Sequence, residues 1–133
     1  MGLGLAANAA ALWTGLSLLL LIALSLLVVR QRQKHHVATG DGGIDELARA
    51  VRAQGNATEY IPAGIAGLAV LAMTGAPPII IHLAGAILVL GRVTHAAGLT
   101  ITLGTSILRT VGMVATWIAY LFTGVALLVF SIF

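Results

Sequence analysis

The 25 residues from Leu5 to Val29 contain no charged side chain. One bilayer-spanning helix takes about 20 consecutive apolar residues, and at about 1.5 Å per residue this run reaches about 37 Å, enough to cross with some tilt. Only Asn8, Thr14, Ser17 and Ser25 interrupt it with weakly polar groups. A second such run follows Arg109, where the last 24 residues are uncharged. Of the 133 residues 59% are apolar and 8% charged, and the mean hydropathy is +1.06. These are the proportions of a membrane protein. The length holds about four spans, so the expectation is an all-α integral membrane four-helix bundle, its helices running up and down, as a single domain over residues 1–133. A cleavable signal peptide would place basic residues before a shorter apolar run. Residues 1–4 are uncharged, so the first span is expected to stay on as a helix.

Arg30, Arg32, Lys34, His35 and His36 follow the first span, and the run from Thr39 to Gly43 reads as a turn-rich loop. Helical pattern resumes at Ile44, with Asp45 and Glu46 in a first turn where negative charge suits the helix N-terminus. This second helix is amphipathic to Glu59 and apolar from Tyr60 to Met73, and Thr74 to Pro78 ends it. A third helix is expected over about Pro78 to Ala97, a loop or break over Gly98 to Gly104, and a fourth helix from Thr105 to Phe133. In that layout all seven Lys and Arg fall on one side of the membrane. The positive-inside tendency then turns both termini away from the cytoplasm. Seven basic residues scattered among lipid-like sequence form no nucleic-acid patch. The absence of cysteine excludes a disulfide scaffold, a thiolate metal site and a cysteine nucleophile.

The second helix carries Arg49, Arg52, Asn56 and Glu59 at spacings of 3, 4 and 3, which set all four within one arc. Two readings stay open. The stripe can hold a zwitterionic, peptide-like ligand, with Arg on carboxylate, Asn on amide and Glu on ammonium, or it is an Arg to Glu ladder on an exposed helical extension. Arg92 and His95 lie one turn apart on the third helix, where snorkelling to headgroups is the plain alternative for Arg92 and satisfaction within the bundle for His95. Arg109 opens the fourth helix beside Thr105, Ser106 and Thr110, with no acid on its own helix. A guanidinium there either snorkels to the headgroups or takes an anion from elsewhere, and in a low-dielectric pocket it favours thiolate over thiol. His35, His36 and His82 have no carboxylate or thiol at ligand spacing, so no metal site is expected.

The run Arg52-Ala53-Gln54-Gly55-Asn56-Ala57-Thr58-Glu59-Tyr60-Ile61-Pro62 resembles the signature of the MAPEG family, membrane-associated proteins in eicosanoid and glutathione metabolism. Gly91-Arg92-Val93-Thr94-His95-Ala96, Arg30 at the end of helix 1, Arg109 at the start of helix 4 and the overall size extend the likeness to a bacterial-type member over essentially the whole chain. The resemblance implies a homotrimer in a bacterial inner membrane, with glutathione as co-substrate in a cleft between subunits and a lipophilic second substrate entering from the bilayer. It places Arg52, Gln54, Asn56, Glu59 and Tyr60 on glutathione, Arg30, Arg92 and His95 around it, and, after a small gap in the helix 3 to 4 connection, Arg109 on the thiolate as the catalytic group, with Thr110 as a hydroxyl beside it. Eicosanoid-making members tend to carry a tyrosine where this chain has Leu99. The expectation is therefore a generic glutathione transferase or peroxidase, with a non-catalytic structural member of the family or a small-solute transport component as alternatives.

Overall fold

The computed structural model describes residues 2–132 as four helices: α1 (Gly2–His35), α2 (Asp45–Met73), α3 (Pro78–Ile101) and α4 (Ile107–Ile132). Three of them, α1, α3 and α4, are long and apolar enough to cross a membrane. α2 falls short on composition, because its unbroken apolar part, Tyr60 to Met73, has only 14 residues after the charged stripe.

Three boundaries differ from those read in the sequence: α4 begins at Ile107 rather than Thr105, its expected end at Phe133 lying outside the described residues, and α1 and α3 each run further. α1 does not stop at Arg30 but continues through the basic residues to His35, because nothing there breaks a helix and positive charge suits its C-terminus. It ends where His36 takes a φ of 55° and Val37 N–H reaches back to the Arg32 carbonyl at 3.1 Å, the six-to-one bond of a Schellman cap. α3 likewise runs through Gly98 to Ile101. Gly98 is there for proximity: a Cβ on it would lie 2.7 Å from Arg109 Cγ and 2.8 Å from Arg109 N.

α2 and α3 form the middle of the bundle. Each packs on the other three helices, while the backbones of α1 and α4 do not approach one another among the described residues. Water does not drive helices together inside a bilayer, so close packing by small residues must. The core is accordingly rich in alanine, with Ala6, Ala9, Ala10, Ala72, Ala84 and Ala119 buried around Leu68, Leu71 and Leu88, and Trp13 of α1 occupies the space that a Cβ on Gly85 of α3 would take. Large residues such as Leu19, Leu121 and Ile107 point outward at 64%, 70% and 82% exposure, as lipid-facing positions do.

At the end holding the α1–α2 and α3–α4 connections, called here the loop end, α1 and α2 are tied outside the apolar segments. Lys34 Nζ donates to Glu46 Oε2 at 2.6 Å, and His35 Nε2 lies 3.2 Å from the same oxygen. The Lys34 hydrogen bond, then that of His35, holds the Glu46 carboxyl below the usual carboxylate range. A group whose folded pKa is depressed contributes stability above its unfolded pKa and loses it as pH falls through the folded value. Wild type is thus expected to melt slightly above Glu46→Gln at neutral pH, with the difference closing through the acid carboxylate range. The effect is small because the pair is solvent-exposed. Melting curves of both proteins across pH check it, and a difference that grows on acidification refutes it.

Candidate functional site

The polar residues of α2 do not form a ladder. Arg49 Nε donates to the Thr100 carbonyl at the end of α3, 3.1 Å away. Arg52 and Glu59 are exposed, and the ion pairs found among the described residues involve only Glu46 as the acid. The internal-ladder reading therefore fails, and the stripe presents an unpaired guanidinium and an unpaired carboxylate on one face. Gln54 lies half-buried beside them and Arg30 is exposed on α1.

Asn56, in the middle of the stripe, is anchored from within. Arg92 is 2% exposed. Its Nη1 donates to Asn56 Oδ1 at 2.6 Å and its Nε to Thr116 Oγ1 at 2.8 Å, while Nη2 lies 3.9 Å from Met113 Sδ. The guanidinium carbon stands 4.9 Å from the centroid of the Tyr60 ring, within the range of a cation–π contact. The Tyr120 hydroxyl donates to the Tyr60 carbonyl, and the two rings are 6.2 Å apart. Arg92 thus does not snorkel. It joins α2, α3 and α4 by side-chain dipoles and a ring face, with no carboxylate in its ion-pair shell among the described residues. Arg92 holds Asn56 Oδ1 and stands over the Tyr60 ring from within the bundle.

His95 and Arg109 meet one layer nearer the loop end. His95 is 6% exposed, and its Nδ1 lies 2.8 Å from the Arg109 carbonyl. A carbonyl only accepts, so Nδ1 carries the proton of this bond. Arg109 is set by the start of α4: Ser106 Oγ accepts its N–H at 3.2 Å, an N-cap of the ordinary kind. Its Nη1 folds back to donate to the carbonyls of Leu103, at 2.8 Å, and Gly104. The anion that the sequence called for is replaced here by two peptide dipoles, with Nε and Nη2 left over. Beside it runs a cleft of about 320 Å³ lined by His95, Ser106, Arg109, Thr110, Met113 and Trp117, polar at the loop end and apolar toward the lipid.

The fold therefore brings Asn56, Tyr60 and Arg92 into one cluster and His95 and Arg109 into another, while Arg30, Arg52 and Glu59, exposed, and Gln54, half-buried, have no side-chain hydrogen bond or ion pair among the described residues. Sequence reasoning missed Thr116, Tyr120 and Met113. The signal was present, since Gly112, Thr116 and Tyr120 recur at intervals of four along one face of an otherwise apolar helix. His82 belongs elsewhere: its Nδ1 accepts from Trp13 Nε1 at 3.1 Å in the other half of the bundle.

The model of the MAPEG family matches residues 10–129 of this chain. The inner membrane protein YecN of Escherichia coli K12 is 44% identical over 111 residues, covering 84% of this chain and 83% of its own length. The protein of the same name from Escherichia coli O6:H1 matches to the same extent.

Proposed function

The chain belongs to the MAPEG family, and on that premise we propose that it is a glutathione-dependent transferase or peroxidase of the bacterial inner membrane, working as a homotrimer on a lipophilic electrophile or hydroperoxide. The observation that carries this reading is an imbalance of charge. Arg30, Arg52 and Arg109 have no carboxylate partner, and Glu59 has no cation, among the described residues. Charges in or near a bilayer are expensive to leave unmatched. Glutathione supplies the missing complement: two carboxylates and an amide for Arg52, Arg30 and Asn56, an ammonium for Glu59, and a thiol for Arg109.

The exposed α2 face, with Arg52 and Glu59 above Pro62, Ala63 and Ala66, needs cover. A neighbouring copy gives it, and places the tripeptide between subunits with all four helices spanning and both termini away from the cytoplasm. Arg109 then acts on the sulfur. Its guanidinium stabilises the thiolate that remains when the thiol proton leaves. The sulfur forms a C–S bond as the leaving group departs with its electron pair, or attacks the terminal oxygen of a hydroperoxide as the O–O bond breaks, releasing the alcohol, which takes up the thiol proton, and leaving a sulfenic acid that a second glutathione thiol converts to the disulfide with loss of water.

Glutathione is expected to raise the melting temperature of the detergent-purified protein, by a stabilisation of about 2.7 kcal/mol at a hundredfold excess over Kd. Arg52→Ala and Glu59→Gln should each weaken that binding about tenfold, the value of one charge-assisted contact. Absence of a shift in wild type at millimolar glutathione overturns the reading, and native mass spectrometry tests the trimer separately. A non-catalytic member of the same fold is favoured by one feature: Leu99, 3% exposed, fills with hydrocarbon the place of a hydroxyl in eicosanoid-making relatives. It is distinguished by a glutathione shift without conjugation or peroxidase turnover.

A further inference from the structure

Five basic residues close α1, and the structure divides them. Lys34 and His35 are engaged by Glu46. Arg30 falls on the surface assigned above to glutathione. Arg32 and His36 remain, and with Gln33 they border a groove of about 440 Å³ whose other walls are Val29, Val37 and Ala38. Arg32 Nη1 donates to the Gly40 carbonyl at 2.9 Å, which fixes the side chain and leaves the rest of its fork free. Gln33 and His36 are exposed and make no hydrogen bond among the described residues.

Two further observations give the groove an orientation and an occupant. The α1 face leading into it is a strip of outward hydrocarbon, Leu19, Ile22, Leu26 and Val29 at 64%, 53%, 59% and 46% exposure, so it runs from the lipid interior to the level of the headgroups. His36 also occupies the left-handed C′ position of the helix cap, at φ 55°, where glycine is the favoured residue. Glycine is abundant four to seven residues on, at positions with the same sign of φ, so the cap itself gives histidine no advantage. A ring with N–H donors beside Arg32 and Gln33 does have one if an anion sits there.

We propose that this groove binds the headgroup of an anionic phospholipid, its phosphate held by Arg32, Gln33 and His36 and one acyl chain lying along the Leu19 to Val29 strip. Basic residues just outside a spanning helix attract anionic lipid, and a guanidinium fork matches phosphate geometry. The binding is independent of glutathione and of any reaction at Arg109.

The test is native mass spectrometry of the full-length protein in detergent, titrated with phosphatidylglycerol, with phosphatidylcholine, and with glycerol phosphate as the free headgroup. Phosphatidylglycerol is expected to bind at least about tenfold more tightly than either of the others. The decisive variant is His36→Gly. It relieves the left-handed backbone and so should raise the lipid-free melting temperature, yet weaken phosphatidylglycerol about fivefold. A purely capping histidine would leave lipid affinity unchanged. Arg32→Ala should weaken phosphatidylglycerol more strongly still, and His36→Gly guards against loss of the Arg32–Gly40 bond disturbing the loop. Equal affinity for the two lipids, unchanged affinity in His36→Gly, or tight binding of glycerol phosphate alone overturns the proposal.

Discussion

Arg109→Ala is expected to lower the turnover of glutathione with a lipophilic electrophile about 10²- to 10³-fold, the range for removing one preorganised donor from a developing anion, while glutathione affinity changes by only a few-fold. The asymmetry follows from what the side chain touches. Arg109 is oriented by bonds from Nη1 to the Leu103 and Gly104 carbonyls, which leaves Nε and Nη2 for an incoming sulfur. No charged end of the tripeptide is assigned to it, so its removal takes little from ground-state binding and much from the ionised state. Arg109→Lys keeps the charge but loses the planar fork, and should fall between the two. Steady-state kinetics beside a melting-temperature titration separate the terms. Equal loss of turnover and affinity would make Arg109 a binding residue, and no loss in either would remove it from the site.

Gly112→Ala should do the largest damage to the fold. A Cβ at Gly112 would lie 2.4 Å from the His95 nitrogen, 2.6 Å from the Gly91 carbonyl oxygen and 2.7 Å from His95 Cα. All three are backbone atoms of α3, so no rotamer can yield and the helices must part. Overpacking of this kind costs about 1–3 kcal/mol, occasionally more. Here the shift also stretches the Arg92 to Thr116 and His95 to Arg109 bonds, so glutathione binding should fall with stability. Gly124→Ala is the control: nothing lies within 4 Å of its added methyl, and alanine is the better helix former by up to about 1 kcal/mol. Unfolding titrations of the two variants should move in opposite directions, or the control not at all. A Gly112→Ala protein as stable as wild type would show that α3 and α4 are not held at this distance.

These predictions separate positions by their physical role, and the same separation explains what could be read in advance. Apolar run lengths are a local property, so α1, α4 and the approximate limits of α2 and α3 were legible directly. The motif around Arg52 to Pro62 pointed to the family because its residues are contiguous. The ends were less legible. α1 outlasts its apolar run because a basic stretch is as good a helix as an apolar one, and α3 passes through Gly98 because that glycine answers to a neighbour on α4, which no local pattern reveals.

The site divides along the same line. From the sequence, Arg49, Arg52, Asn56 and Glu59 were equivalent members of one stripe. In the bundle they have separate fates: Arg49 on a carbonyl of α3, Asn56 locked to Arg92, and Arg52 and Glu59 outward and unpaired. Arg92 read equally well as a headgroup anchor or a ligand contact, and packing made it an interior strut.

What the sequence by itself determined is the class of solvent this chain folds in, the number and rough extent of its helices, the side on which its charge collects and the family it belongs to. The first three follow from composition and from the lengths of the apolar runs, and the family from the resemblance of the contiguous Arg52 to Pro62 motif. Only the tertiary structure decided which charges are satisfied and which are not. Pairing inside a bundle depends on distances of about 3 Å between residues 12 to 69 positions apart, and those are set by how closely glycine and alanine let one helix approach another.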